Sequence, residues 1–493
     1  MWYKPDVQQA GAQSGRGCIE QILTLRLYID VARKTKQCLY VTFLDYEKAY
    51  DKVDRSLLLQ KLANTGCSQK FLNAIYCTLD NTYSYMGNEV IEAKRGVRQG
   101  GSTSCSLFTF YINDTIRALD ACEPDGFLGH DHILLLMDDT VLLATTRERM
   151  SQKLSLLYQT AVTLGMTLHP SKSKFLTVNS SDTQPFHIGN IIISATDQYQ
   201  YLGTTISNNT IADQIQNHIN SKKCHARKFG SFLRKNSDAP FVVKFKVWDS
   251  AMCSAILYSS ETWLTNNLKC VSNIYNSTLK ELLGVRLQTP NDLVTTELGV
   301  LPVHRKIRQR QIKFLNDIKM KPHYQNSPLS RAIALATTVK SPMGKYLKEL
   351  ENITSTGFQN DMQITHNRIR NADTTRFTTY LSINPNLSIH PMYCSESNPP
   401  LEHHRIAATR LRLSSHYLRI ETGRWARIPR EQRFCPCRED LQTESHVVTA
   451  CPLTNFLRIE FDELKFDTIA EFFNSTNIAK MCKYCYELLQ RLS

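Results

Sequence analysis

Three aspartates stand beside short apolar runs, and their type and placement suggest a site for divalent cations. Asp45 follows the run from Cys38 to Leu44, whose aromatic and β-branched residues are typical of a buried strand. Asp138 and Asp139 lie between two further apolar runs, where a tight hairpin would hold them at its tip. Carboxylates brought together on neighbouring strands repel one another unless cations neutralise them. Two hard cations held by aspartates are what nucleotidyl transfer requires.

An Asp-Asp pair alone usually marks a solvated turn, so the motifs around the pair decide its meaning. Five segments stand in order along the chain: Gln9-Ala10-Gly11 with Gly15-Arg16-Gly17-Cys18, Phe43 to Asp51, Arg95 to Gly100, Met137-Asp138-Asp139, and Tyr201-Leu202-Gly203. Each segment is weak evidence, but the ordered set is specific. From about Gln9 to Gly203 the chain resembles the reverse transcriptase of a LINE-type (non-LTR) retrotransposon.

The resemblance implies roles for the residues of the catalytic motifs. Asp45, Asp138 and Asp139 would hold two Mg²⁺ ions, with Asp45 and Asp138 as the more important ligands. Lys172 matches a family position at which a lysine can protonate the departing pyrophosphate. Tyr50 would pack under the sugar of the incoming nucleotide. A ring at that position leaves no room for a ribose 2′-hydroxyl, so it implies deoxynucleoside triphosphates as substrates.

The remaining palm motifs imply contacts with nucleic acid. Gln99-Gly100 combines a backbone that a nucleotide can approach closely with an amide that can bind the template or the sugar. Arg98 beside it would contact phosphates. The segment Tyr201-Leu202-Gly203 resembles the primer grip. The implied partners are therefore an RNA template, a DNA primer and deoxynucleoside triphosphates.

The far end of the chain carries an independent metal-binding pattern. Cys435, Cys437, His446 and Cys451 supply three thiolates and one imidazole, a set that suits a closed tetrahedral Zn²⁺ site. The Cys-x-Cys spacing is tighter than usual, but many LINE-type proteins end in a similar knuckle with a proline after the last ligand. The Cys482–Cys485 pair lacks a second ligand pair and is more typical of one face of a terminal helix.

Arginines crowd the segment just before this knuckle. Eight of them stand between Arg405 and Arg433, interleaved with Tyr417 and Trp425. A charge run usually marks a solvated helix face. Arginines with aromatics beside a zinc knuckle favour instead a surface that contacts RNA.

Composition agrees with a nucleic-acid partner in a reducing compartment. The net charge of +14 suits a polyanion. The 15 cysteines are too sparse for a disulfide scaffold and mostly stand singly within apolar stretches. The N-terminus has no apolar signal core, and no apolar run is long enough to span a membrane. We therefore expect a protein of the nucleus and cytoplasm, without membrane contact.

Helices that cross antiparallel strands predict an α+β fold. The resemblance implies that this fold is of the right-hand polymerase type, with fingers, an antiparallel palm sheet and a thumb. We expect partial fingers and palm at 1–205, a helical thumb or connection region at 206–350, a linker rich in Thr, Asn and Ser at 351–400, and a basic region with the zinc knuckle at 401–493. Apolar spacing predicts helices at Cys18 to Ala32, Ser104 to Leu119 and Arg147 to Gly165. Asp54 is a good N-cap.

The chain departs from the family pattern in three respects. Leu136 and Met137 stand where an aromatic and a small residue usually precede the two aspartates. The loop from Gly101 to Cys105 lacks the prolines that would stiffen it. By comparison with the family pattern, we expect the upstream finger strands and an endonuclease to be missing before the first palm strand. These departures suggest an N-terminally truncated retroelement copy whose activity is reduced or lost.

Three functions remain open, and the favoured one is an RNA-directed DNA polymerase that works by two-metal nucleotidyl transfer. The second is a catalytically inactive remnant that only binds nucleic acid. The third is an RNA-directed RNA polymerase, which shares the paired aspartates but is opposed by Tyr50. The sequence leaves the oligomeric state open.

Overall fold

The computed structural model describes residues 5–80, 82–354, 361–394 and 399–492. The chain as described there divides into two compact units, each built from several segments. The first unit comprises Met1–Gln214, Ser259–Asn266 and Arg310–Ser355, and the second comprises Ile215–Tyr258, Asn267–Gln309 and Thr356–Ser493. The predicted α+β architecture, with a palm sheet followed by a helical region, is confirmed.

The sheet of the first unit is centred on the strand that precedes Asp45. The strands are β1 (Leu39–Leu44), β2 (Tyr83–Met86), β3 (Glu89–Glu92), β4 (Ile133–Leu136), β5 (Asp139–Ala144), β6 (Lys174–Val178), β7 (Phe186–Ile188), β8 (Ile191–Ala195), β9 (Gln198–Tyr201) and β10 (Thr204–Ser207). Within the described residues, six of them form a sheet in the order β4-β5-β1-β6-β8-β7. Every residue of β1 is buried, and β1 pairs antiparallel with both β5 and β6.

Helices cover both faces of this sheet. The first eight are α1 (Cys18–Thr35), α2 (Ala49–Lys52), α3 (Arg55–Asn64), α4 (Gln69–Leu79), α5 (Ser104–Ile112), α6 (Asp114–Leu119), α7 (Arg147–Thr163) and α8 (Ile211–Lys235). Val41 and Phe43 share a core cluster with α1, whereas Tyr40 and Leu44 share one with α5 and α7, as alternation along a strand requires. The predicted helices are confirmed, except that the 104–119 helix is interrupted at Asn113. Asp54 caps α3 by accepting from the Leu57 N–H.

The chain after β10 is mostly helical, as predicted. The later helices are α9 (Phe241–Val247), α10 (Ser254–Ile256), α11 (Lys269–Leu283), α12 (Asn291–Glu297), α13 (Val303–Lys319), α14 (Pro328–Thr338), α15 (Pro342–Thr354), α16 (Asp361–Arg370), α17 (Thr375–Ile383), α18 (Glu402–Arg412), α19 (Arg419–Trp425), α20 (Glu444–Thr449), α21 (Asn455–Glu460), α22 (Ile469–Phe473) and α23 (Ile478–Leu492). Helices α14 and α15 complete the core cluster on the α1 face of the sheet. Along the described part of the chain, no helix is both long and apolar enough to cross a membrane.

The stretch at 351–400, expected to be a linker, contains the two helices α16 and α17. These helices belong to the second unit and bury Ile369, Tyr380 and Ile383. Residues 355–360 and 395–398 of the same stretch lie outside the described residues. The expectation of a linker is therefore wrong for α16 and α17, which pack within the second unit.

Candidate active site and metal centre

Strand pairing brings the three aspartates to one edge of the sheet. Leu44 in β1 pairs with Thr140 in β5. Asp45, which follows Leu44, therefore lies beside Asp139, which precedes Thr140. Leu136 pairs with Asp139, which leaves Met137 and Asp138 as a two-residue turn between β4 and β5. The hairpin predicted for the Asp-Asp pair is confirmed, and it faces the end of β1.

Burial and neighbouring carboxylates raise the pKa values of Asp138 and Asp139 at this edge. Burial, and then the charge of Asp45, raises the pKa of Asp138. Burial together with Asp138 and Asp45 raises the pKa of Asp139 to about 6. The Lys172 Nζ lies 3.3 Å from the Asp45 Oδ2 and supplies positive charge from the loop before β6. Clustered carboxylate oxygens of this kind are the donors that Mg²⁺ prefers.

Tyr50 lies in α2, directly after the turn that follows Asp45. Its ring stacks on Phe108 of α5, with 4.4 Å between ring centroids and 12° between the planes. Its hydroxyl lies 3.8 Å from the Cys105 Sγ. Burial, then Cys105 and the charge of Asp138, raises the tyrosine pKa. The partly buried ring thus packs on Phe108, and its hydroxyl lies close enough to Asp138 for the charge of that carboxylate to raise its pKa.

The segment carrying Gln99 packs on α2, the short helix that contains Tyr50. The Val97 N–H donates to the Tyr50 carbonyl at 2.9 Å, and the Gly96 N–H donates to the Val53 carbonyl at 2.8 Å. Gly96 has a φ of 87°, and a Cβ added there would lie 2.9 Å from the Asp51 Cα, so the close approach requires glycine. The side chains of Arg98 and Gln99 and the backbone of Gly100 are exposed beside the turn.

The hairpin of β9 and β10 carries Tyr201-Leu202-Gly203 at its tip. Leu202 and Gly203 take positive φ values of 46° and 78°, as a tight two-residue hairpin turn requires. Tyr199 stacks on Phe43 of β1 with 4.2 Å between ring centroids, and Tyr201 is buried beside the same ring. This stacking fixes the hairpin against the strand that leads to Asp45.

Tyr199 belongs to the site, although the sequence motifs did not single it out. Burial, followed by the charges of Asp45 and Asp139, raises the pKa of Tyr199 to about 12. Its signal in the sequence was its spacing of two residues from Tyr201, which puts both rings on one face of β9.

The second unit contains the four predicted zinc ligands as one cluster. The ligand atoms of Cys435, Cys437, His446 and Cys451 all lie within 4.8 Å of one another. The Cys435 and Cys451 sulfurs are 3.6 Å apart, and the Cys437 Sγ lies 3.2 Å from the His446 Nε2. Three sulfurs and one nitrogen at this spacing fit tetrahedral Zn²⁺.

Local structure explains why the short Cys-x-Cys spacing works. The Cys435 N–H donates to the Asp440 carbonyl, and the Arg438 N–H donates back to the Cys435 carbonyl, which folds the chain into a tight turn. The Thr443 side chain caps α20, whose His446 then faces the turn. As predicted, Cys482 and Cys485 lie instead on the buried face of α23.

The arginine-rich segment is only partly a surface. Arg405 and Arg412 are buried: the Arg412 Nε lies 2.6 Å from the Glu297 Oε1, and the Arg405 Nε lies 2.8 Å from the Glu402 Oε2. The interpretation as an RNA-binding surface is wrong for these two, because their charges are satisfied inside the unit. Arg419, Arg427 and Arg430 are exposed, as are Tyr417 (61%) and Trp425 (38%).

Comparison with known proteins identifies relatives of the region that contains the sheet. Residues 5–206 match the family described as reverse transcriptase (RNA-dependent DNA polymerase). The chain is 31% identical over 220 residues to the retrovirus-related Pol polyprotein from the type-1 retrotransposable element R2 of Nasonia vitripennis, which covers 40% of this chain and 21% of that protein. It is 24% identical over 217 residues to the corresponding polyprotein of the type-2 element R2DM of Drosophila melanogaster, covering 40% of this chain and 20% of that protein. The matched region spans about a fifth of the length of these relatives.

Solved telomerase structures overlap the chain more loosely. The telomerase of Candida albicans, in complex with a fragment of telomeric RNA, covers 62% of this chain and 55% of its own at 13% identity, with a TM-score of 0.28. The apo telomerase of Candida tropicalis covers 70% of this chain and 55% of its own at 13% identity, with a TM-score of 0.32.

The six-stranded sheet and its three aspartates lie within residues 5–206, which match the reverse transcriptase family. The similarity to the R2 polyproteins supports a LINE-type, non-LTR reverse transcriptase over this region. The resemblance inferred from the sequence motifs is confirmed.

Proposed function

We propose that this chain is an RNA-directed DNA polymerase of a retroelement, which extends the 3′-hydroxyl of a DNA primer along an RNA template. The observation that carries the proposal is the convergence of Asp45, Asp138 and Asp139 at the edge shared by β1 and β5. Burial, together with neighbouring carboxylates, raises the pKa values of Asp138 and Asp139, as is common where carboxylates are arranged to hold cations.

Asp45 and Asp138 would hold two Mg²⁺ ions, with Asp139 assisting. When bound there, Mg²⁺ supplies the charge neutralisation that nucleotidyl transfer requires. Lys172, which forms an ion pair with Asp45, would give a proton to the departing pyrophosphate. In the second unit, the Cys435 cluster would hold one Zn²⁺.

Other side chains would bind and select the substrates. The Tyr50 ring, fixed on Phe108, would exclude the 2′-hydroxyl of a ribonucleotide. The exposed Arg98 and Gln99 would contact the triphosphate and the template. The hairpin of β9 and β10, fixed on Phe43, would hold the primer end beside the carboxylates. Residues 1–205 would thus act as partial fingers and palm, and 206–350 as thumb or connection.

A second candidate function is nucleic-acid binding without catalysis. Arg419, Arg427 and Arg430, with the exposed rings of Tyr417 and Trp425, form a basic aromatic surface in the second unit that does not depend on the palm. Such a surface suits the phosphates and bases of single strands.

The substitution Asp138→Asn in the full chain separates the two functions. It should reduce Mg²⁺-dependent extension of a DNA primer on an RNA template by about a thousandfold, since several kcal/mol of transition-state stabilisation would be lost. Template affinity should remain unchanged. Asp51→Asn, an exposed carboxylate of the same motif, is the control.

Equal extension by wild type and Asp138→Asn would contradict the polymerase assignment. RNA binding without extension by either protein would favour the second function.

A further inference from the structure

The segment before α1 runs along β4, the edge strand of the palm sheet. The Leu135 N–H donates to the Gln8 carbonyl at 3.0 Å, and the Ala10 N–H donates to the Leu135 carbonyl at 2.8 Å. Gln9 therefore lies opposite Leu135 in a parallel bridge. This pairing brings Gln9 to the base of the turn that carries Asp138.

The side chain of Gln9 binds the backbone of that turn. Its Oε1 accepts hydrogen bonds from the Met137 N–H at 3.0 Å and from the Gly11 N–H at 2.7 Å. Gln9 is completely buried, so these bonds form out of competition with water. The Met137 N–H lies in the turn, outside the β4–β5 ladder, and Gln9 satisfies it.

Met137 takes a conformation that its side chain disfavours. It is the first residue of a two-residue hairpin turn and has a φ of 60°, a region where glycine is usual. Such a backbone persists only where its surroundings hold it. The bond from the Met137 N–H to Gln9 is one such restraint, and it acts on the residue next to Asp138.

The hydrogen bond between Met137 and Gln9 leaves no room for a side chain at position 11. A Cβ added to Gly11 would lie 2.7 Å from the Met137 nitrogen and 2.8 Å from the Gln9 Oε1. The absence of a Cβ at Gly11 thus permits the contact between the segment and the turn. Glycine at this position of the Gln9-Ala10-Gly11 motif has a steric reason here.

Arg16 anchors the segment on α1. Its Nη1 donates to the carbonyls of Val7 at 2.7 Å and of Gln9 at 3.0 Å, while its Nε donates to Glu20 at 3.0 Å. Both side chains of this Arg16–Glu20 pair are buried. Arg16 therefore fixes the backbone at Gln9, and the Gln9 side chain in turn restrains the backbone of the Met137–Asp138 turn.

We propose that Gln9 is a positioning residue, which holds the Met137–Asp138 turn in the conformation that lets Asp138 bind a catalytic metal ion. The proposal rests on the proposed function, because that function identifies the aspartate cluster as a metal site. It does not require that the protein catalyse primer extension. Without the Gln9 acceptor the turn can relax from its positive φ, and the Asp138 carboxylate leaves the position facing Asp45.

The test compares variants of the full chain for divalent-metal binding, with Mn²⁺ as the probe and electron paramagnetic resonance as the readout. Gln9→Met keeps the length of the side chain but removes the acceptor, and should weaken Mn²⁺ binding about fivefold, the factor expected for one lost hydrogen bond. Gln9→Glu keeps an acceptor oxygen and should bind Mn²⁺ at least as tightly as wild type. Asp138→Asn should lose the signal and so assign it to the palm.

Gln21→Met is the matched structural control. Gln21 is also a buried glutamine, and its Nε2 donates to the carbonyls of Leu135 and Gln8 rather than to the turn. Gln21→Met should lower the melting temperature about as much as Gln9→Met does, while its Mn²⁺ affinity should stay within about twofold of the wild-type value.

The positioning role would be overturned if Gln9→Met bound Mn²⁺ with wild-type affinity, or if Gln21→Met lost as much Mn²⁺ affinity as Gln9→Met. It would also be overturned if the wild-type protein did not bind Mn²⁺. The proposed polymerase function is judged separately by primer extension. A Mn²⁺ defect in Gln9→Met, with no extension by wild type, would support Gln9 and contradict the polymerase. Primer extension by wild type, together with wild-type Mn²⁺ affinity in Gln9→Met, would support the polymerase function and contradict the role of Gln9.

Discussion

Replacing Asp139 by Asn should stabilise the protein when no Mg²⁺ is present. Burial, with the charges of Asp138 and Asp45, raises the pKa of Asp139 from 3.8 to about 6 in the folded chain. Because the folded-state pKa lies above the unfolded value, the folded chain binds this proton more tightly. Stability is therefore lost as the pH rises from about 4 to about 6, and it stays at the lower level above that range.

The size of the effect follows from the shift and from the exposure of the side chain. A shift of about 2 units at 1.36 kcal/mol each gives about 3 kcal/mol. More than a third of the Asp139 side chain is exposed, so water screens the repulsion, and about 1 kcal/mol is a better expectation. For a domain of this size, that corresponds to a rise of about 2–4 °C in melting temperature at neutral pH.

Differential scanning calorimetry at pH 5 and pH 7.5, with and without Mg²⁺, measures this directly. The buffer should be free of Mg²⁺ rather than chelated, so that the Cys435 cluster keeps any Zn²⁺. Asp139→Asn should melt above wild type at pH 7.5 without Mg²⁺, and Mg²⁺ should close the gap by neutralising the wild-type carboxylates. Asp51→Asn should show no such gap. Equal melting temperatures without Mg²⁺, or a gap that Mg²⁺ leaves unchanged, would refute the argument that these carboxylates repel one another in the folded chain.

Two further outcomes concern the substrate and the second metal. Tyr50→Val should raise ribonucleotide incorporation relative to deoxynucleotide incorporation by about one to two orders of magnitude, because steric rejection sets this choice. An unchanged ratio in single-nucleotide assays would leave the ring with only its packing role on Phe108. Cys451→Ser should release one Zn²⁺ per chain in elemental analysis, whereas Cys482→Ser, buried in α23, should retain it. Wild-type protein without zinc would contradict the site.

The sequence predicts the parts of the site that depend on local patterns. Strand β1 is a continuous apolar run, and the Asp-Asp pair between two such runs defines its own hairpin. The Asp54 cap and the position of α1 follow equally from short-range spacing, although α1 is buried on more than the single apolar face that this spacing predicts. These elements place Asp45, Asp138 and Asp139 together, because antiparallel pairing leaves few other arrangements.

Contacts between distant residues could not be predicted in this way. Gln9 and Met137 are 128 residues apart, and nothing in either segment specifies the other. The Glu297 partner of Arg412 lies 115 residues away, so Arg412 looked like surface charge in a basic run. The average composition of the stretch at 351–400 predicts a linker, because it hides the few apolar residues that α16 and α17 bury.

The discontinuous first unit has a consequence for how the chain is made. Helices α14 and α15 supply Leu329, Ala332, Tyr346 and Leu347 to the core cluster that also contains α1 and β1. The ribosome finishes β10 roughly 150 residues before α15, a delay of roughly 10 to 30 seconds at ordinary rates of synthesis. During that interval the α1 face of the sheet is without these side chains and is open to chaperones or to a second nascent chain. Vectorial synthesis thus separates the appearance of the sheet strands from the closure of the α1 face by α14 and α15.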